Sequence, residues 1–158
     1  MQKEKIQEYT RRISQDNRSE LIVTMYDIMS TYFEDAEAAF HVDENEAFKA
    51  NIRNVDKVLV QLMESLNFKY KPADTLYALY VYCREELAKS MMKHDLDGLY
   101  HAKKVLSGLR EGFAEAAKKD TSAPLMRNTQ QVYAGITYGK NDINENYTES
   151  DNKRGFLV

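Results

Sequence analysis

One cysteine, Cys83, two prolines, six glycines and no tryptophan occur in 158 residues. A lone cysteine excludes an intramolecular disulfide framework and fits a reducing compartment. Half of the glycines (Gly135, Gly139, Gly155) fall in the last quarter. The rest of the chain is nearly free of breakers, which argues for long helices and against a many-turned β fold. Histidine is scarce too: His41, His94 and His101, none of them three residues after a Glu. The inward Glu-x-x-His pairs of a di-metal bundle are therefore missing, as is HExxH. No glycine-rich phosphate loop is present. The sequence thus reads as a non-enzyme without metal or cofactor. No charge sign dominates, the net charge being −3, so neither nucleic acid nor an anionic membrane is expected as a partner. No run approaches the ~18 apolar residues of a membrane span. The start MQKEKIQEYTRRIS lacks an apolar h-region, so no classical signal peptide is expected.

What is present is a foldable composition, 43% hydrophobic and 30% charged, in a length that suits one domain. Four segments carry a helical period, from about 17 to 40, 43 to 66, 72 to 93 and 95 to 119. Asn17 and Glu20 have capping-box spacing at the first start. Pro72 suits the first turn of the third, and Asp95 is the expected N-cap of the fourth. The second carries Phe48, Ile52, Val55, Leu59, Leu62 and Leu66; the third Leu76, Tyr80, Cys83, Leu87 and Met91; the fourth Leu99, Ala102, Leu106, Leu109, Phe113 and Ala116. Each set is one apolar stripe. On such a stripe Cys83 reads as a small buried hydrophobe. The links HVDEN, FKYKPAD and KHD are short, which makes consecutive helices antiparallel neighbours. The expectation is an all-α, antiparallel up-down four-helix bundle over residues 17–119. An N-terminal arm (1–16) carries one or two amphipathic turns with Ile6, Tyr9 and Ile13, and a largely irregular tail (120–158) follows.

The first helix has more apolar surface than a narrow seam needs. Thirteen of the twenty residues from Leu21 to Phe40 are apolar, where a three-in-seven face requires about nine. One stripe is Leu21, Met25, Ile28, Tyr32, Ala39, interrupted by Asp35. A second, Ile22, Tyr26, Met29, Phe33, Ala36, Phe40, has no gap. Val58 and Met63 widen the next helix; Tyr77, Val81, Ala88 and Met92 widen the third. A wide core face explains such doubling. So does a long groove for a partner's helix or peptide. Methionines adapt to varied partners. Tyrosines such as Tyr26, Tyr77, Tyr80, Tyr82 and Tyr100 suit a partly wet interface. The arm, with Ile6, Tyr9 and Ile13, is expected to fold against the bundle and to be displaced or rearranged by the partner.

These residues resemble a known family, the flagellar secretion chaperone FliS. NRSELIVTMYDIMSTYFEDAEAAF is similar to that family's opening, with Met25-Tyr26-Asp27 at its Leu-Tyr-Asp triplet. VDKVLVQLMESLNF resembles its second helix, with Leu62, Ser65 and Leu66 in register. LYALYVYCREELAKSMMKHD resembles its Leu-Tyr-x-Tyr block, at Leu79, Tyr80, Tyr82 and Leu87. LSGLREGF is similar to its Leu-Arg-x-x-Trp close, with Phe113 in place of Trp. The likeness spans about residues 5 to 118. It departs at KYKPAD, where the family has Gly-Gly, and at Ser90-Met91, where it has Ala-Asn. The resemblance implies a helical bundle in the bacterial cytosol that binds flagellin one to one. It implies that flagellin's disordered C-terminal segment, held along apolar grooves, cannot polymerise prematurely. It also implies docking of the complex on the export-gate protein FlhA of the flagellar type III secretion apparatus, with Ile6 and Tyr9 matching an Ile-x-x-Tyr pair used in capping and gate docking. Ile6, Tyr9, Ile13, Ile22, Tyr26, Met29, Phe33, Val58, Met63, Tyr77, Leu79, Val81, Tyr82 and Met92 are the expected partner-binding residues. A ligand-binding or sensory bundle, and a homodimeric bundle without chaperone role, are the alternatives.

Overall fold

The structure, a computed structural model, describes residues 1–126; the expectation of an irregular tail falls, from residue 127 on, outside them. Five helices follow one another: α1 (Lys3–Gln15), α2 (Arg18–His41), α3 (Asn45–Glu64), α4 (Pro72–Lys93) and α5 (Asp97–Lys119). The last four form the antiparallel bundle. α2 packs on α3 and α5, and α4 packs on the same two, so α2 and α4 face each other across the diagonal.

Local chemistry explains the ends. Asn17 caps α2 through a complete capping box: Glu20 N–H donates to Asn17 Oδ1 at 2.9 Å, and Asn17 N–H to Glu20 Oε2 at 2.9 Å. Pro72 opens α4, where its missing N–H has no partner to lose. His94 closes α4 in the left-handed region, φ 51°. Asp95 is not the N-cap of α5. That place falls to Leu96, and Asp95 Oδ1 accepts from Asp97 N–H at 3.2 Å instead. The reason is a tight turn. Ser90 Oγ donates to the Asp95 carbonyl and accepts from Leu99 N–H at 3.3 Å. Gly98 lies so close to α4 that a Cβ there would stand 2.0 Å from the Glu86 carbonyl oxygen.

The core is built from Met29, Phe33 and Ala36 of α2, Phe48, Ile52, Val55 and Leu59 of α3, Cys83 and Leu87 of α4, and Leu99, Ala102 and Leu106 of α5. Burial raises the Cys83 thiol to about 12, which keeps it protonated and inert. The two stripes of α2 are sorted by their continuity. Tyr26, Met29, Phe33 and Ala36 of the gapless one are buried while its ends, Ile22 and Phe40, are half-buried; of the other, Ala39 is buried and Leu21, Met25, Ile28 and Tyr32 are half-buried. Tyr26 and Tyr80 correct the expectation that tyrosines favour wet positions here. Both are core residues, and their hydroxyls meet across the diagonal at 2.6 Å. Phe113 stacks on the Tyr26 ring, centroids 5.5 Å apart.

The arm is a helix of 13 residues, longer than one or two turns, because α2 offers it specific partners. Tyr9 is buried; its hydroxyl donates to the Asp27 carbonyl at 3.0 Å and lies 2.8 Å from Thr31 Oγ1. Arg12 Nη2 donates to Asp27 Oδ2 at 2.8 Å, and Arg110 Nε of α5 to Asp27 Oδ1 at 2.7 Å. One carboxylate therefore joins three helices. Burial alone would raise its pKa, but hydrogen bonds from Arg110 and Arg12 outweigh burial and hold it below the usual range.

Two outcomes follow from these contacts. Tyr80→Phe leaves the Tyr26 hydroxyl buried without a partner and costs about 1–3 kcal/mol, whereas Tyr26→Phe/Tyr80→Phe together costs less than the sum of the singles. Urea unfolding of the four proteins of this cycle measures the coupling, and strict additivity would refute it. Asp27→Asn costs about 1.5–3 kcal/mol at neutral pH. Because the folded pKa of Asp27 is depressed, its contribution is complete above the unfolded value and is lost as pH falls through the folded one. The gap between parent and variant should thus close in acid; a gap independent of pH would contradict the assignment.

Candidate partner-binding site

Beside the core, the first half of α4 and the last turns of α5 leave an apolar groove of about 490 Å³. Pro72, Thr75, Leu76 and Leu79 form one wall; Leu109, Phe113 and Ala116 form the other. Gly108 and Gly112, one turn apart, lie along it, and a Cβ built on either meets nothing within 4 Å. Unlike Gly98, they are not required by close helix packing. Their missing side chains keep the groove open.

A second apolar cavity, about 380 Å³, lies at the same end of the bundle. Leu21, Ile22 and Met25 of α2, Leu62 and Leu66 at the end of α3, and Leu125 line it. Leu76 and Phe113 line both cavities, so the two adjoin along a shared wall and together make up a trough. No residue lining it comes from α1. Close by, Phe68 and Tyr77 pack edge to face, centroids 5.8 Å apart, and both are exposed. Tyr82, one turn beyond Leu79, is exposed as well.

The residues expected from sequence do not share one surface. Leu79 and Ile22 line the trough, and Tyr77 and Tyr82 stand exposed on α4. Val81, Val58, Met63 and Ile13 are half-buried. Tyr26, Met29 and Phe33 are 3%, 1% and 2% exposed; they belong to the core because theirs is the stripe the bundle closes on. Tyr9 is buried against α2, while Ile6 of the same helix is 52% exposed. Met92 is 86% exposed, near the C-terminal end of α4 and away from the trough.

Several trough residues were read from sequence as core alone. Leu76, Leu109 and Phe113 are half-buried, each with one side on the core and one on the trough. The available signal was the glycine pair. Each exposed mid-helix glycine costs about 1 kcal/mol relative to alanine, so two at i and i+4 single out one face of α5.

Among the described residues, no group of three or more His, Cys, Asp or Glu could hold a metal ion, and no helix is long and apolar enough to cross a membrane. The chemistry on offer is apolar contact. Comparison with curated proteins returns no match. The family model described as flagellar protein FliS matches residues 1–120, a stretch that takes in all five helices and the trough walls they supply. The chain belongs to the FliS family of flagellar export chaperones.

Proposed function

We propose that this protein binds the disordered C-terminal segment of flagellin in the bacterial cytoplasm, masks it against premature polymerisation, and delivers it to the export-gate protein FlhA. The observation that carries this reading is the pair of adjoining apolar cavities at one end of the bundle, the larger of which is lined by Gly108 and Gly112 with open space beside them. A flagellin terminus self-associates through an apolar face. A trough that covers this face as it becomes helical competes with assembly and needs neither nucleotide nor metal.

Magnitudes support a long site. Ordering a disordered segment costs about 2–5 kcal/mol. At about 25 cal/mol per Å², roughly 200 Å² of buried apolar surface offsets 5 kcal/mol, and association itself costs more. A guest therefore has to engage both cavities and their exposed margin. Leu79, Ile22, Tyr77 and Tyr82 are the predicted residues best placed for it. Ile6, exposed on an arm whose Tyr9 is locked to α2, is available for the gate.

Calorimetric titration of the full chain with the C-terminal flagellin segment from the same source, with circular dichroism on the mixtures, tests this. One-to-one binding with a gain in helicity is expected. Gly112→Leu fills the groove, so affinity should fall at least about tenfold, while the melting temperature rises because leucine is about 0.8–1 kcal/mol better than glycine in a helix. No binding at tens of micromolar, or parental affinity in Gly112→Leu, would overturn the reading.

A further inference from the structure

The residues after α5 turn back to the start of α2. Asp120 ends α5 with a local turn, its Oδ1 accepting from Ser122 N–H at 2.9 Å and Ser122 Oγ–H at 2.6 Å. Its Oδ2 accepts from Ser19 Oγ, in the first turn of α2, at 2.5 Å. Hydrogen bonds from Ser122 and Ser19 lower this carboxyl to about 2, so it is ionised at physiological pH. Asn17 Nδ2 donates to the carbonyls of Asp120 and Ser122, each at 3.3 Å. Pro124 lacks an N–H and disfavours a helical Ala123, so the helix cannot resume. Leu125 N–H then donates to the Asp16 carbonyl at 3.1 Å. The Leu125 side chain joins Ile22, Met25, Leu66, Tyr80 and Phe113 in the wall of the second cavity.

We propose that residues Asp120–Leu125 are a strap that occupies this end of the trough in cis, with Leu125 as its plug, and that an incoming guest helix must displace it. The displacement half of this proposal rests on the trough being the guest's site; the occupancy half does not. Leu125 is still 55% exposed, and the hydrogen bonds that Asn17 and Ser19 make to the strap are only part-buried. Such a strap closes without locking. A strap closed nine-tenths of the time weakens a competing guest about tenfold, since apparent affinity scales with the open fraction. The anchors converge on the α1–α2 junction. Asp16 accepts from Leu125 through its backbone and, through its carboxylate, from Thr24 Oγ1 at 2.5 Å.

The test uses the full chain with ¹³C-methyl methionine, because Met25 lines the cavity, and amide hydrogen exchange read at Leu125. The Leu125 amide should be protected in the parent and lose protection in Asp120→Ala. Leu125→Ser should shift the Met25 methyl resonance. In calorimetry both variants should bind the flagellin C-terminal segment about three- to tenfold more tightly than the parent. An unprotected Leu125 amide with an unmoved Met25 resonance would overturn the occupancy. Equal affinities for parent and variants would overturn the competition. A protected amide with no binding by any of the three proteins would support the occupancy and refute flagellin as the guest.

Discussion

The diagonal hydrogen bond between Tyr26 and Tyr80 is the constraint around which the bundle is arranged. α2 and α4 pack chiefly on α3 and α5 and meet each other only across the diagonal. Two tyrosines meeting hydroxyl to hydroxyl at 2.6 Å are longer end to end than two leucines would be. They span the diagonal at this level. Each hydroxyl satisfies the other, which removes the cost of burying either alone. Phe113 lies on the Tyr26 ring, so one side of Phe113 is fixed by the core. Its other side faces the trough. The trough is thus the outer surface of the same aromatic packing that forms the interior.

Two polar centres, one on α2 and one just before it, tie the arm and the segment after α5 to the bundle. At Asp27 a carboxylate takes one arginine from α1 and one from α5. That arrangement is strong because both partners are guanidinium groups and the site is half-covered. At Asp16-Asn17 the backbone leaves α1, caps α2 and receives the segment that follows α5. The arm and the strap are therefore attached to one short junction, whereas the trough walls come from α2, α3, α4 and α5.

Much of the architecture was legible from the residues. Gapless stripes gave the four helices, Asn17 and Glu20 the first cap, Pro72 the start of α4, and Cys83 its burial. Asp95 misled because Ser90 and Gly98 draw the turn tight, a contact between helices that no local pattern contains. The arm was underestimated for a similar reason. Ile6, Tyr9 and Ile13 mark only a short amphipathic face, while the residues that stabilise a full helix there, Asp27 and Thr31, lie on another helix. Tyr26, Met29 and Phe33 were placed on a partner face because spacing shows that two stripes exist, not which of them the bundle encloses.

By itself the sequence determined the four bundle helices, their antiparallel order and the absence of any motif for metal or phosphate chemistry, since these depend on period, breakers and residue type along the chain. Only the tertiary structure decided which face of α2 is core, where Leu76 and Phe113 divide between core and trough, and that Leu125 returns to the trough. Those depend on which helices meet and at what distance, and such contacts join residues that are far apart in the chain.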